Sequence, residues 1–370
     1  MKIVDEEILR AGSHFLGSGG GLDFEISKLM LRDQMKVRSS VVITLDSLKS
    51  DDCIVVISYM GCPTIEAEKN FNISHTRKLI EKIEYISQRK INAFAMWGVA
   101  GGGAFLPIFM SSYFEIPIID ADLTGRCFPA LQMLSTNMVD IAPLKFFISN
   151  LMGNFFEIEC DNFFALERHA RQITVSSGGA CLIAPQILTG EEAKRGLIPG
   201  SLTKALTIGQ IIQDTRHLEC EEACKAIVDY TKGTFWGMGG IMSIDGYLSN
   251  LPRPFNRRIV MKDWRAGKVW EVLMANEYDV LIENGKVVAE VPDIISLCDM
   301  ETREPLTIRQ LHDNRNIAIM TSPAPDIWYT ERGLALVRTK EHMQGRNALC
   351  SLGSSVHESA AELGKIAMHG

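Results

Sequence analysis

The chain has 370 residues, a formal net charge of -7 and 46% hydrophobic residues, an ordinary composition for a globular protein. Its length allows two domains, since one domain usually takes about 100 to 200 residues. The acidic balance, with no stripe of Lys and Arg, argues against a nucleic-acid-binding surface. The nine cysteines are scattered, without a Cys-x-x-Cys pair or a Cys/His cluster of zinc spacing, and predict a reduced, cytoplasmic protein.

One uncharged segment, Ala93–Phe114, would be long enough to cross a membrane. Three consecutive glycines and a proline interrupt it, so we expect a strand, a glycine turn and a helix instead. The first ten residues, MKIVDEEILR, are charged from the start and contain no apolar signal-peptide core. We therefore expect neither a secretory signal nor a membrane partner.

Helix and strand patterns alternate through the first 140 residues. Helices are predicted over Asp5–Leu16, Phe24–Met35, His75–Arg89, Phe105–Tyr113 and Ala130–Val139. Strands are predicted over Val41–Leu45, Cys53–Ser58, Ile91–Trp97 and Ile116–Ile119. Such alternation predicts an α/β fold, a three-layer αβα sandwich in which helices cover both faces of a mainly parallel sheet.

The pattern changes after Val139. A hairpin is predicted over Lys145–Cys160, followed by a helix that Asp161 caps, a strand over Ala180–Ala184, and a helix that begins at Ser201. From about Lys232 onward, short β runs separated by Gly-containing turns predict a small, barrel-like all-β domain. We therefore expect an αβα domain over residues 1–217, a β-barrel-like domain over 218–340 and a loosely structured tail over 341–370.

Side chains that can do chemistry follow the ends of the predicted strands. Asp120 and Asp122 end the strand that begins at Ile116, and a turn with Arg126 and Cys127 comes next. Because ligands of open α/β sheets bind outside the carboxyl ends of the strands, we expect this turn to be the centre of the site. Carboxylates that share a site take different pKa values, which suits them to acid and base roles.

Two further strand ends and a glycine-rich loop are expected to converge on this turn. The convergent segments are Gly17–Gly21, Met60–Lys69 and Gly98–Ala104. The candidate catalytic residues are Asp120, Asp122, Arg126, Glu68, Lys69, Cys62 and Cys127. Backbone N–H groups in glycine turns can wrap a negative charge. The candidate substrate- and anion-binding residues are Gly19, Gly20, Gly21, Gly61, Thr64, Gly101, Gly102 and Gly125.

Simpler structural roles stay open for each of these groups. Asp120 and Asp122 can cap a helix and pair with Arg126, and Glu68 can lie in a solvated first turn of a helix. Cys62 and Cys127 can each be buried as a small apolar residue instead of acting as a nucleophile. The two aspartates can also hold a divalent metal ion, if further oxygen donors join them.

Several segments match the pattern of a known family. In chain order they are Gly17–Gly21, Met60–Thr64 with Glu68-Lys69, Gly101–Pro107, Asp120–Asp122 with Gly125-Arg126 and Phe128-Pro129, Asn276-Glu277, and Pro292-Asp293. Through them the chain resembles the S-methyl-thiohydantoin desulfurase family over about Met1 to Arg338. The resemblance implies an αβα layered domain followed by a β-barrel domain. It also implies hydrolytic removal of sulfur from a thiohydantoin, a five-membered cyclic ureide, to give the hydantoin.

The chain departs from the family pattern close to the expected site. Cys62 and Cys127 stand where alanine is usual, and Ala130 replaces an acidic residue. Trp97-Gly98 and Gly103 replace the glutamate and the asparagine that are usual around the central glycine turn. The resemblance therefore predicts a retained scaffold on which the substrate and the chemistry can differ.

We expect a hydrolase that acts on a small cyclic amide or thioamide, such as a thiohydantoin or hydantoin. Asp120 or Asp122 would activate water, and Arg126 and Lys69 would hold the substrate's negative charge. The alternative is a non-catalytic protein that binds a small molecule or nucleotide on the same scaffold. A nicotinamide-dependent oxidoreductase is disfavoured, because no Gly-x-Gly-x-x-Gly motif follows a first strand.

The same residues lead to expectations about cofactors and partners. A divalent metal ion at Asp120 and Asp122 stays open, and no nucleotide cofactor is expected. The expected partner is a small-molecule substrate, without nucleic acid or membrane. A homodimer or a higher homo-oligomer is compatible with the size and the hydrophobic content of the chain.

Overall fold

The structure is a computed structural model that describes residues 6–21, 40–62, 65, 73–141, 145–246, 254–263, 265–338 and 342–344. The chain forms two compact units. The first extends to Asp214 and includes Pro325–Ile327, and the second begins at Thr215. The predicted helix over Phe24–Met35 and residues 345–370 lie outside the described residues. The domain limits expected from the sequence, 1–217 and 218–340, stay predictions.

The first unit is built on a nine-stranded sheet. Its strands are β1 (Val42–Ile43), β2 (Cys53–Gly61), β3 (Ala93–Met96), β4 (Ile118–Asp122), β5 (Phe146–Asn150), β6 (Phe155–Ile158), β7 (Ala180–Ala184), β8 (Ile187–Thr189) and β9 (Ile198–Pro199). Their order is β1-β4-β3-β2-β7-β5-β6, while β8 pairs with β2 and β9 pairs with β4. The first four strands in this order pair with one another in parallel, and the other strands extend the sheet by antiparallel pairing.

The helices of the first unit cover both faces of this sheet. They are α1 (Glu6–Leu16), α2 (Ile73–Ser87), α3 (Phe105–Phe114), α4 (Ser135–Met138), α5 (Phe163–Ser176), α6 (Gly190–Gly196) and α7 (Ser201–Thr215). On one face, Ile54 and Val56 of β2 join a core with Leu166 and Ala170 of α5. Val55 points to the opposite face and is equally buried. A strand that is buried on both faces is typical of a layered α/β fold, so the predicted fold class is confirmed.

The second unit is an antiparallel sheet that curls into a half-barrel. Its strands are β10 (Thr234–Asp245), β11 (Arg257–Lys262), β12 (Val269–Met274), β13 (Tyr278–Glu283), β14 (Lys286–Glu290), β15 (Ile294–Asp299) and β16 (Asn316–Ser322), in the order β14-β13-β12-β11-β10-β16-β15. The unit also contains α8 (Cys220–Thr231) and α9 (Glu331–Val337). Asn284 and Gly285 have φ angles of 48° and 79°, as a two-residue hairpin turn requires.

Two local predictions about the first unit are wrong. Ala130 is extended, and a 3-10 turn and the short α4 replace the predicted helix over Ala130–Val139. The backbone donors there bind other parts of the chain: Leu131 N–H donates to Glu167, and Ser135 N–H donates to the Leu123 carbonyl. The second error concerns the cap of α5, since the side chain that caps this helix is Asn162 and not Asp161.

α1 and α7 cross at a distance that only glycine allows. A Cβ on Gly12 would lie 1.7 Å from the Ala205 carbonyl oxygen, and a Cβ on Gly209 would lie 1.8 Å from the Ile8 carbonyl oxygen. Because Ile8 meets Gly209 while Gly12 meets Ala205, the two helices run antiparallel. The C-terminal end of α1, with its glycine loop, therefore lies toward the N-terminal end of α7. Among the described helices, none is long and apolar enough to cross a membrane.

We predict that Gly209→Ala destabilises the first unit. In an open helix this change would stabilise by about 1 kcal/mol. Here the new Cβ would meet the Ile8 carbonyl, so α1 must shift, and we expect a net loss of about 1 to 3 kcal/mol in the free energy of unfolding. Urea denaturation measures this loss. Gly246→Ala is the control, because none of the residues that the structure describes comes within 4 Å of its Cβ position. Stabilisation by Gly209→Ala would contradict the close crossing.

Candidate functional site

Asp120 and Asp122 end β4 on the face of the sheet that lies away from the core shared with α5. Ile119, Ala121 and Leu123 point into that core. Because successive side chains of a strand point to opposite faces, the two aspartates point to the other face. The alternation thus places both carboxylates together at the carboxyl end of a parallel strand.

The Asp122 carboxylate is fully buried and accepts four hydrogen bonds. Its Oδ2 accepts from the Val99 N–H at 2.8 Å. Its Oδ1 accepts from the N–H groups of Thr124 and Gly125, at 3.3 and 2.8 Å, and from the Ser201 hydroxyl at 2.8 Å. These donors come from the loop after β3, the turn after β4 and the first residue of α7.

Burial and hydrogen bonding act on the pKa of Asp122 in opposite directions. Burial disfavours the charged form and is the larger effect, while the hydrogen bonds from Val99, Ser201, Gly125 and Thr124 favour the carboxylate. The balance raises the pKa of Asp122 from its ordinary value of 3.8 to about 6. A carboxyl group with this pKa can exchange a proton near neutral pH.

Asp120 caps α7 across a long separation in sequence. Its Oδ1 accepts from the N–H groups of Leu202 and Thr203, at 2.8 and 3.1 Å, and its Oδ2 accepts from the Thr203 hydroxyl at 2.5 Å. Its carbonyl oxygen accepts from the Gly200 N–H at 2.8 Å. The first turn of a helix has N–H groups without partners inside the helix, and a carboxylate satisfies them well. Asp120 therefore has the helix-capping role that the sequence left open.

The structure brings two glycine turns and the turn after β4 together. A Cβ on Gly21, in the first glycine loop, would lie 2.7 Å from the Gly101 Cα. A Cβ on Gly98 would lie 2.5 Å from the Thr124 Oγ1. The other candidate glycines of these two turns, all buried, are Gly19, Gly20 and Gly102. Small residues are required at these contacts, because the backbones approach too closely for a side chain.

Arg126 and Gly125 are enclosed by their neighbours. Arg126 is 1% exposed, its guanidinium carbon lies 4.8 Å from the centre of the Phe128 ring, and its Nε donates to the Cys127 carbonyl at 3.1 Å. Gly125 has a φ of +66°, and a Cβ there would lie 2.3 Å from the Pro325 Cγ. Both residues are buried by the described part of the chain. The Cys127 thiol, in contrast, belongs to a half-buried residue.

Cys62 and Gly61 lie at the end of β2, next to the residues that begin β7. Cys62 is exposed, and its N–H donates to the Gly179 carbonyl at 2.9 Å. A Cβ on Gly61 would lie 2.3 Å from the same oxygen, next to β7. β3 lies between β2 and β4, so these two residues and the Asp122 turn belong to strands that are not adjacent, and their place in the site stays a prediction. The remaining candidates, which lie outside the described residues, are Thr64, Glu68 and Lys69.

Two residues of the site escape prediction from the sequence. Ser201 bonds to Asp122 across 79 positions, and Lys204 follows one helical turn later. Lys204 is half-buried, and this burial lowers the pKa of its ammonium group, while the nearby charge of Asp122 raises it to a lesser extent. The sequence indicates the start of a helix at Ser201, but it contains no indication of which strand that helix start would meet.

A metal site does not emerge from the residues that the structure describes. Within those ranges, no three or more His, Cys, Asp and Glu side chains are grouped so that they could hold a metal ion. The oxygens of Asp120 and Asp122 accept hydrogen bonds from protein groups instead. Metal binding by this pair stays a prediction from the sequence.

The raised pKa of Asp122 predicts a defined dependence of stability on pH. Between about pH 4 and 6, the folded protein holds a proton on Asp122 that the unfolded chain, with its pKa of 3.8, has released. The contribution of Asp122 to stability is therefore largest below pH 4 and falls as the pH rises through 6, by up to about 3 kcal/mol. The stability of the wild type relative to Asp122→Asn should fall over the same range.

Urea unfolding of both proteins at several pH values measures this difference. Asp214→Asn is the matched control, because Asp214 is exposed near the end of α7 and accepts a hydrogen bond only from the neighbouring Gln210 among the described contacts. If the stability of the wild type relative to Asp122→Asn rose with pH, the prediction would be contradicted. It would mean that the four hydrogen bonds to Asp122 outweigh its burial.

Sequence profiles of one family match almost the whole chain. The profile described as "S-Me-THD-like, N-terminal domain" matches residues 4–159, and the one described as "S-Me-THD-like, C-terminal domain" matches residues 160–341. A crystal structure of a protein from Chromobacterium violaceum has the same fold, with a TM-score of 0.76 and 21% identity over 95% of this chain and 97% of that chain. No curated protein matches the sequence at a significant level. With both domain profiles matched in order, the chain belongs to the S-Me-THD-like family.

Proposed function

We propose that the protein is a hydrolase of a small cyclic amide or thioamide, such as a thiohydantoin or hydantoin. The observation that supports this proposal best is the pair of Asp122, with a pKa of about 6, and the Ser201 hydroxyl, 2.8 Å apart. A carboxyl group of this kind accepts a proton at neutral pH and can return it later in the reaction. The family name points to the same class of compound, since S-Me-THD abbreviates S-methyl-thiohydantoin.

In the proposed first step, water attacks the ring carbon that carries sulfur. The water gives one proton to Ser201 Oγ, while Ser201 gives its own proton to Asp122 Oδ1. The oxygen of the water bonds to the carbon, and the carbon–sulfur double bond opens to a thiolate. In the turns Gly17–Gly21 and Gly101–Gly103, the N–H groups of Gly17, Ser18, Gly20 and Gly103 already donate to backbone carbonyls. The N–H groups of the other residues in these two turns would stabilise this negative charge, as in an oxyanion hole.

In the proposed second step, the carbonyl forms and the sulfur leaves. The carbon–oxygen double bond is made as the carbon–sulfur bond breaks. Sulfur departs as hydrogen sulfide, with one proton from the new hydroxyl group and one from Asp122. The carboxylate is regenerated, and the hydantoin is released. Asp122 thus holds the proton between the two steps, which requires its pKa to lie near the working pH.

A non-catalytic role in binding a small molecule is the second proposal. It is favoured by the burial of Asp122, whose side chain is enclosed by protein donors. Asp120 is likewise occupied by the first turn of α7. On this proposal the two carboxylates hold the turns in place, and the turns bind the ligand. A thermal-shift experiment with thiohydantoins separates the proposals, because a ligand that stabilises without turnover supports binding alone.

We predict that Asp122→Asn lowers kcat for 2-thiohydantoin about 100-fold or more, the usual effect of removing a general base. Release of sulfide and formation of hydantoin measure the turnover. For the wild type we expect kcat to rise with pH through about 6, because the ionised carboxylate is the base. Asp214→Asn should leave both kcat and its pH dependence unchanged.

Because Asp122 also holds the fold, the variant must be compared under conditions where it is folded. Circular dichroism at the assay temperature shows whether it is. A folded Asp122→Asn that keeps the wild-type kcat would remove Asp122 from the mechanism. Absence of turnover in the wild type, with thermal stabilisation by the same compounds, would favour the binding protein.

A further inference from the structure

The first turn of α7 is held rigidly by the end of β4. Ser201 donates to Asp122 at 2.8 Å, and Asp120 accepts from Leu202 and Thr203. The Lys204 N–H donates to the Gly200 carbonyl at 2.8 Å and continues the helix. Two carboxylates and a hydroxyl group therefore fix the backbone from which the Lys204 side chain starts. This fixed starting point is what a residue needs if its side chain is to be placed accurately at a ligand.

Lys204 and Ser201 lie on the same side of α7. Residues three positions apart are neighbours on a helix surface, so Lys204 extends along the side on which Ser201 meets Asp122. The charges of Lys204 and Asp122 influence each other. Among the contacts of the described residues, however, no ion pair joins them. Lys204 therefore keeps its ammonium group near the buried carboxylate without being neutralised by direct contact.

Arg126, which the sequence singled out as a cation of this site, is far less accessible than Lys204. Its guanidinium group is packed over Phe128, and its side chain is 1% exposed. Lys204 is half-buried, so part of the residue keeps contact with solvent. A lysine in this state is a strong partner for an anion, because partial burial weakens the screening of its charge.

The glycine loop after α1 lies at the same end of α7. Gly12 contacts the backbone of Ala205, the residue next to Lys204. The antiparallel crossing brings the C-terminal end of α1 toward the N-terminal end of α7. The Gly21 backbone in turn meets Gly101. The ammonium group of Lys204 and the two glycine turns are therefore parts of one region, which combines a positive charge with backbone N–H groups.

We propose that Lys204 is the substrate-binding cation of this site, and that its ammonium group contacts the atom of the cyclic substrate that carries or develops negative charge. This inference rests on the proposed function for the nature of the ligand. On the thiohydantoin ring that atom is the sulfur, which becomes a thiolate when water attacks. Lys204 then has the role that the sequence analysis assigned to Arg126 and Lys69, and it explains why α7 is held by both aspartates.

Replacement of Lys204 by methionine and by arginine tests this role. Lys204→Met keeps a long apolar stem without charge and should lower kcat/KM for 2-thiohydantoin about 100-fold, comparable to the loss of an oxyanion-hole donor. Lys204→Arg restores the charge and should recover kcat/KM to within about tenfold of the wild-type value. The remaining difference between this variant and the wild type should lie in KM. Lys225→Met is the matched control, because Lys225 is exposed on α8 and pairs with Glu221.

A second measurement does not depend on turnover. Acetic anhydride labels lysine amines, and mass spectrometry follows the labelling of each lysine in the wild-type protein. We expect 2-thiohydantoin to protect Lys204 from labelling and to leave Lys225 unchanged. The same compound should raise the Tm of the wild type and of Lys204→Arg, but not the Tm of Lys204→Met.

The outcomes separate this inference from the proposed function. If the wild type turns over 2-thiohydantoin and Lys204→Met keeps kcat/KM within about twofold, Lys204 does not contact the reacting atom, while the hydrolase proposal stands. If the wild type has no turnover, protection of Lys204 by the compound still supports a binding role. Labelling of Lys204 that is unaffected by the compound would overturn the inference in either case.

Discussion

The buried Asp122 carboxylate is the interaction on which the first unit depends. A carboxylate that is removed from water needs hydrogen-bond donors around it, and the chain supplies four. These donors belong to segments that are far apart in sequence: the loop at Val99, the turn at Thr124-Gly125 and the helix start at Ser201. One side chain thereby holds together the end of β4, a glycine turn and α7. If it were lost, each of these segments would have to find new partners.

Asp120 and the helix crossing complete this arrangement. Asp120 fixes the next N–H groups of α7, and Gly12 and Gly209 allow α1 to lie directly on the backbone of that helix. The region around Lys204 is thus bounded by elements whose positions are set by hydrogen bonds and backbone contact. Such rigid surroundings favour accurate placement of a ligand over adaptation to many ligands.

The sequence predicted the sheet, the strand that ends in the two aspartates and the glycine turns, because these depend on local patterns. Alternation of apolar and polar residues and runs of glycine can be recognised without knowing the rest of the chain. β15, which is buried along its whole length, has no such alternation, so this signal is missing there. The short α4 also differs from the prediction, since the N–H groups of Leu131 and Ser135 bind Glu167 and Leu123 and not carbonyls of one continuous helix.

The parts of the site that could not be predicted all depend on contacts between distant positions. Ser201 is 79 positions from Asp122, and Leu202 is 82 positions from Asp120. The residues themselves are ordinary for the beginning of a helix, so their types carry no information about the partner. The same limit applies to Lys204, which has the appearance of a surface lysine until the position of α7 on the sheet is known.

Pro325 belongs to the first unit but is synthesised long after most of that unit. α1 and the Gly125 turn leave the ribosome early, yet the helix that packs on α1 is complete only at Thr215. The ring that covers Gly125 follows after most of the second unit has been made. Contacts between such distant positions form slowly, because closing a long loop costs conformational entropy before the contact is gained. A nascent chain that stalls before Pro325 is therefore left with the Gly125 turn uncovered.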